Sequence, residues 1–435
     1  MDTSGGSTTK IIQLVEDNLA KRRNDANQNR RSTENFTIFR VPLNLDSVDS
    51  CVYQPRVISI GPYHHGDPNL TAMENHKLFY LEKLIHWIPN VSLKSYVEKM
   101  LLLEDRARNC YSDDERMNIV DKNKFIEILV VDSCFLFMLV LRPDIRNHHN
   151  SPIRGLDWSL ALVLTDLLKL ENQIPFFIIQ ELVQMTGIFD TNSFIERLIE
   201  LYSTCLGILT PRDHNPHQQP FDHFLHLFQV SFKTGIIQQV PKIKNPSALV
   251  RKTKEFRTVM QLLESGVKFT PKSGRCILDI TFKNGVLEFP HISIDETFKV
   301  FLHNMVSLEQ CNVKYGNHFT SYACFINNLV DSPGDVTILE QKKVFANLLG
   351  SNENVADVFN QLGLGVIHHT TSNYLHGVEN EMKEYCGSRW PRWRGMLVRD
   401  YFNNPWVITS LIAGFAVLLL TFLQTYYTML PFYFP

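Results

Sequence analysis

From Trp406 to Leu430 the chain runs for 25 residues, WVITSLIAGFAVLLLTFLQTYYTML, without a charged side chain. As a helix this stretch extends about 37 Å, enough to cross a hydrocarbon layer of about 30 Å with some tilt. Its start is well signalled: Asn403 and Asn404 offer caps, and Pro405 sits where a first helical residue needs no donor. Pro431 ends it. Tyr401 and Trp406 at one end and Tyr426, Tyr427 and Tyr433 at the other match interfacial aromatic belts. A core helix of that length in a soluble protein normally keeps a polar face, so the pattern predicts a transmembrane helix.

The flanks set an orientation. Lys383, Arg389, Arg392, Arg394 and Arg399 precede the span, and PFYFP after it carries no charged side chain, so the bulk of the chain is expected to be cytoplasmic. A plasma-membrane or endomembrane location fits, with insertion after translation because the anchor lies so near the C-terminus. Sequons at Asn35, Asn69 and Asn90 argue for the opposite topology if they are used. The polar start, MDTSGGSTTK, has no apolar run behind a basic end and does not read as a secretory signal.

The remainder is globular in composition. Apolar residues make up 44% and charged residues 20% of the 435, and 43 Lys plus Arg face 45 Asp plus Glu. That balance lacks the basic surplus of a dedicated nucleic-acid binder, and no nucleic-acid partner is expected. The eight cysteines are scattered with no C-x-x-C pair, which suits reduced thiols better than a zinc ribbon or a disulfide framework.

The spacing of apolar residues predicts a mainly α fold: a large helical domain over 36–395 with a small β-hairpin or sheet, a polar and disordered tail over 1–35, and the membrane helix over 406–430. The tail holds a short amphipathic piece, Lys10 to Arg23. Ile38 to Tyr63 is punctuated by Pro and rich in Val and Ile, which gives extended pieces and turns. Met73 to Ile88 carries an apolar helical stripe. Phe125 to Leu141 is almost wholly apolar, but Glu127 and Asp132 make a buried core helix the better reading than a second span. Trp158 to Leu170 and Ile174 to Met185 form a further helical pair, broken at Glu171-Asn172-Gln173 and Pro175. Pro211 to Pro220 is a loop; Phe221 to Val230, Phe256 to Leu263, Phe298 to Cys311, Tyr322 to Leu329, Val355 to Leu362 and the stretch around Tyr385 show helical spacing. Between Ile277–Phe282 and Val286–Ile294, Asn284-Gly285 is the best hairpin signal in the chain.

No nucleophile elbow, dinucleotide-binding fingerprint or P-loop occurs. His64 and His65 stand in the turn GPYHHG, where adjacent side chains point to opposite faces and do not both reach one metal. His223-x-x-His226 has metal-ligand spacing but no H-E-x-x-H glutamate. Cys134, in VVDSCFLF, lies among apolar neighbours that raise a thiol pKa. The sequence therefore points to no catalytic set, cofactor or metal. The positions that stand out are Pro62, Tyr63, His64 and His65 in the turn, and the polar residues Glu74, Asp132, Glu171, Asn172 and Gln173. Asp132, Glu171, Asn172 and Gln173, with Glu309 and Gln310 further on, sit in apolar surroundings, where buried hydrogen bonding at helix ends is their expected role. The other role open to them is an enzyme built on the GPYHHG turn and a carboxylate, Glu74 or Glu171.

Several blocks together resemble the plant domain-of-unknown-function 247 family. They are IFRVP at Ile38–Pro42, YQPRVISIGPYHHG at Tyr53–Gly66, MENHK at Met73–Lys77, DSCFLF at Asp132–Phe137 and LENQIPFF at Leu170–Phe177. HFLHLF, ESGVKF, LDITF, LEQC and the closing YFNNPW follow in order. The resemblance implies a plant, mostly helical, C-terminally anchored membrane protein, with no catalytic residues to carry over. Links of some grass members to pollen self-incompatibility imply recognition roles. The expected function is a membrane-tethered recognition or signalling-adaptor protein that acts through protein partners and is not an enzyme. A reproductive self-incompatibility determinant and an uncharacterised enzyme are the alternatives.

Overall fold

The computed structural model describes residues 36–46, 49–88, 91–112, 120–145, 157–207, 220–233, 257–273, 276–367, 373–387 and 405–433, with a few isolated positions besides. The N-terminal tail, the loop over 211–219, the arginines of the basic flank, and Asn35 and Asn90 fall outside them. In chain order the helices are α1 (Thr71–Trp87), α2 (Leu93–Arg108), α3 (Lys122–Ile145), α4 (Asp157–Asp166), α5 (Phe176–Thr186), α6 (Thr191–Leu206) and α7 (Phe224–Lys233). Then come α8 (Val259–Glu264), α9 (Glu296–Cys311), α10 (His318–Leu329), α11 (Pro333–Gln341), α12 (Asn352–Leu362), α13 (His376–Gly387) and α14 (Pro405–Tyr433). Five short strands complete the set: β1 (Lys268–Lys272), β2 (Thr281–Lys283), β3 (Val286–Pro290), β4 (Ile292–Ile294) and β5 (Phe345–Asn347). The mainly α class with small sheets and one apolar C-terminal helix is what the sequence predicts.

The chain forms two compact units. The first comprises Met1–Gln238, Asp295–Ala323 and Gln361–His369. Its axis is α3, in which every residue from Phe125 to Leu141 is buried except Glu127. Such a helix has no water-facing side, so it must be surrounded, and α1, α2, α5 and α6 pack on it. Each fully buried Leu, Ile or Phe there contributes about 1.5–3 kcal/mol. Helix ends follow local chemistry: Ser92 Oγ accepts from Ser95 N, Asp190 from Ser193 N and Asp295 from Phe298 N. Gly187 and Gly207 close α5 and α6 in the left-handed conformation.

The second unit comprises Gln239–Ile294, Cys324–Asn360 and Thr370–Pro435. Here the expected hairpin forms, with Thr281, Phe282 and Lys283 opposite Glu288, Leu287 and Val286. Asn284 (φ 53°) and Gly285 (φ 79°) make the two-residue turn that right-twisted strands require. Gly285 answers a second constraint, since a Cβ there would lie 2.3 Å from the Tyr385 ring. The strands are shorter than the apolar runs suggest, because β3 stops at Pro290 and the chain re-pairs as β4, parallel to β5. β1 adds to β3 in parallel. One helix among those described, α14, is long and apolar enough to cross a membrane. Its Thr409–Thr428 stretch has a mean hydropathy of 1.6 and no part of it is buried in the protein.

Candidate functional site

The first unit contains an extended strap, Gln54 to Gly66, that runs across the core without a ladder partner along its length. Backbone donors in such a segment must find other acceptors, and side chains from distant elements supply them. Asp166, the last residue of α4, accepts from three successive amides: Arg56 N at 2.9 Å, Val57 N at 2.7 Å and Ile58 N at 3.1 Å. Asn172 Oδ1 accepts from Ile60 N (2.7 Å), while its Nδ2 donates to Ile58 O (3.0 Å) and Asp166 O (3.0 Å). Asp132 Oδ2, from α3, accepts from Gly61 N (2.8 Å).

The Gln173 side chain makes its hydrogen bonds away from the strap. Its Nε2 donates to Leu167 O and Lys169 O, carbonyls left over beyond the end of α4, and its Oε1 accepts from Leu225 N at the start of α7. Asn304 of α9 completes the clamp, accepting from Leu170 N (2.8 Å) and donating to Val52 O (3.0 Å). Strap and clamp approach so closely at Gly61 (φ 78°) that a Cβ there would lie 2.4 Å from Gln173 O. Gly61→Ala combines that overlap with a left-handed backbone and is expected to cost about 2–3 kcal/mol. A fall in the urea midpoint with an unchanged m-value is the readout. A loss below about 0.5 kcal/mol would show that the strap moves aside at no cost.

The GPYHHG turn at the strap's end divides the remaining candidates into two groups. On one side Glu171 accepts from Val41 N (2.9 Å) and pairs with the Arg40 guanidinium. His64 Nε2 lies 3.1 Å from the Glu171 oxygen that Arg40 also holds. Arg40 stacks 4.4 Å over the Tyr63 ring, whose hydroxyl meets Ser112 Oγ at 2.8 Å. Burial opposes the charge on Glu171, but His64, Arg40 and Val41 outweigh it and hold the carboxyl below the usual range. On the other side Lys77 Nζ reaches Asp132 Oδ1 and Glu74 Oε1, each at 2.7 Å. His65 faces this second group. Burial lowers its pKa, and the charges acting on the ring are those of Asp132, Lys124, Glu74 and Lys77. Pro62 is buried in the turn between them.

The structure therefore brings His64 to Glu171 and Glu74 to Asp132, and it separates His64 from His65. Both oxygens of Glu171 are engaged by protein groups, and the two side chains are 10% and 12% exposed. Arg40, Lys77, Asp166, Asn304 and Asp222 were not singled out in the sequence. For Asp166 a signal was present, because an acidic residue at a helix C-terminus opposes the macrodipole and needs another reason to be there.

A second locus lies in the same unit. A cleft of about 630 Å³ opens where α2, α5 and the start of α7 meet the turn around Lys314. On its wall Asp222 Oδ2 accepts from Tyr315 OH (2.9 Å) and contacts Lys314 Nζ (3.0 Å) and His226 Nδ1 (3.2 Å). Against the pull of burial, His226 and Lys314 hold the Asp222 carboxyl well below its ordinary pKa. His223 and His226 do not converge on a shared point: His223 Nδ1 accepts from His226 N (3.2 Å), and His226 is turned to Asp222. Among the described residues no group of three or more His, Cys, Asp or Glu side chains is arranged to hold a metal ion.

A family model, DUF247, described as a plant protein of unknown function, matches residues 38–420. The chain belongs to that family. It is 27% identical to UPF0481 protein At3g47200 of Arabidopsis thaliana over 92% of this chain and 87% of the relative. It is 24% identical to putative UPF0481 protein At3g02645 of the same plant, over 92% of each. No solved structure matches the chain. The blocks that carry the family resemblance in the first half are the ones that build the strap and its clamp: IFRVP supplies Arg40 and Val41, YQPRVISIGPYHHG is the strap, DSCFLF supplies Asp132, and LENQIPFF supplies Glu171 to Gln173.

Proposed function

We propose that this chain is a membrane-tethered recognition or signalling-adaptor protein, whose helical body meets protein partners at the cytoplasmic face of the membrane that α14 spans. The observation that carries the reading is α14 itself: twenty residues, Thr409–Thr428, that are apolar and bury nothing against the protein. A contiguous apolar surface of that size is unfavourable in water and finds its natural solvent in a bilayer. The basic residues from Lys383 to Arg399 support a cytoplasmic body. The clamp supports a scaffold role, since its polar side chains are spent on holding the strap rather than turned to solvent.

Membrane fractionation tests the anchor. The full chain is expected to stay in the pellet through alkaline carbonate washing, and a chain lacking residues 405–433 to move to the supernatant with its helical circular dichroism intact. Proximity labelling from a tagged N-terminus tests the rest. A reproducible set of cytoplasmic proteins is the expected result. Recovery of lumenal or cell-wall neighbours alone overturns the orientation, and the lack of any consistent set overturns the adaptor reading.

A further inference from the structure

The cleft beside Asp222 has the size of a small-molecule site, and its walls are chemically uneven. Arg106, on α2, lies with its guanidinium carbon 3.7 Å over the Phe177 ring of α5. Among the described residues that stacked guanidinium meets no carboxylate or carbonyl, so its donors remain free while its plane is held. Lys314 adds a second cation, matched by a single carboxylate, Asp222, which leaves the lining with one positive charge in surplus. Thr37 also lines the cleft and is only 8% exposed, with its hydroxyl beside the Cys110 sulfur. Burial pushes the Cys110 thiol up in pKa, so it alkylates slowly and its rate reports on access to the cleft.

We propose that this cleft binds a small organic carboxylate with a flat apolar body. The carboxylate takes the fork of Arg106 in the bidentate geometry that a stacked guanidinium presents, and the body lies along Phe177. A carboxylate fits better than an amine or a neutral amide. The free donors belong to a cation, and the one carboxylate of the site is already occupied by Tyr315, Lys314 and His226. This inference is independent of the membrane reading, because every residue in it belongs to the first compact unit.

Titration calorimetry on the full chain in detergent, with 2-naphthoate as the probe, tests it. Saturable binding is expected, at least about tenfold tighter than for 2-naphthamide, and at least about tenfold weaker in Arg106→Gln. Arg106 is exposed, so the substitution leaves the core untouched. Alkylation of Cys110 is expected to slow when 2-naphthoate is present, while the exposed Cys51 reacts at an unchanged rate. The proposal is overturned if naphthoate and naphthamide bind alike, if Arg106→Gln binds as the parent does, or if millimolar naphthoate gives no saturable heat and no protection of Cys110. Binding of phenyl phosphate in place of naphthoate overturns the carboxylate assignment.

Discussion

Replacing Lys77 with methionine is expected to destabilise the first unit by about 3–5 kcal/mol, the range measured when one partner of a buried ion pair is removed. The Lys77 side chain has no exposed surface, and its ammonium sits between Asp132 (2% exposed) and Glu74 (29% exposed). Two carboxylates hold it charged against the cost of burial, and its pKa stands above the ordinary value. Methionine retains the apolar stem and leaves Asp132 with the Gly61 amide as its remaining donor. That carboxylate must then protonate or stay uncompensated, and either change loosens the strap at the residue where it is most tightly fitted. Urea denaturation gives the energy, and faster proteolytic cleavage within residues 54–66 gives the location. Glu74→Gln, by contrast, should cost less than about 1 kcal/mol, because that partner is partly hydrated. Equal losses for the two variants, or a loss below about 1 kcal/mol for Lys77→Met, would mean that Asp132 is held by Gly61 and solvent rather than by the pair.

Local features of the fold were legible because their causes are local. The 17-residue apolar run over Phe125–Leu141 can only be a surrounded helix, and the acid inside it, Asp132, had to have a partner. Asn284-Gly285 fixes a hairpin because both residues tolerate positive φ. α2 was missed for the opposite reason: LKSYVEKMLLLEDRAR buries only Tyr96, Met100, Glu104 and Ala107 and leaves Leu93, Leu101 and Leu102 exposed, so its apolar residues do not mark the face it buries. The parallel pairing of β1 with β3 was invisible because nothing in KFTPK names a partner.

The candidate residues show the same division. Glu171, Asn172 and Gln173 read as groups that satisfy backbone near Pro175, and Gln173 does so for the carbonyls beyond α4. Asn172 reaches Ile60, 112 positions away along the chain, and Glu171 reaches Val41 across 130. A single sequence shows that a polar residue in apolar surroundings needs a partner, and the chain's path alone decides which one it gets. Asp166 escaped notice because an acid among helical residues looks ordinary until the strap's unpaired amides are counted.

Lowering the pH from 7 to 5 is expected to remove about 3–4 kcal/mol of stability through two buried histidines. His223, fully enclosed, has its pKa pushed down to about 3, first by burial and then by the neighbouring His226 and Lys314, with Asp222 opposing. Its Nδ1 already accepts from His226 N, so adding a proton there breaks a hydrogen bond as well. His303, edge-on to the Tyr53 ring, is lowered to about 4 by burial and by Lys299, with Asp49 opposing. In the unfolded chain both histidines titrate near their ordinary value of about 6.5. Below that pH the unfolded state binds protons that the folded state refuses, so stability falls as pH falls, from about 6.5 down to the folded values of about 4 and 3. His318, lowered to about 4, adds in the same direction. Glu309 acts in the opposite sense, because burial raises its pKa and the folded state takes up its proton first. A difference between variants isolates the histidine part: His303→Leu should reduce the loss between pH 7 and pH 5 by about 2 kcal/mol, read as a smaller shift in urea midpoint. An unchanged shift would mean that His303 is already protonated in the folded protein, with Asp49 outweighing both burial and Lys299.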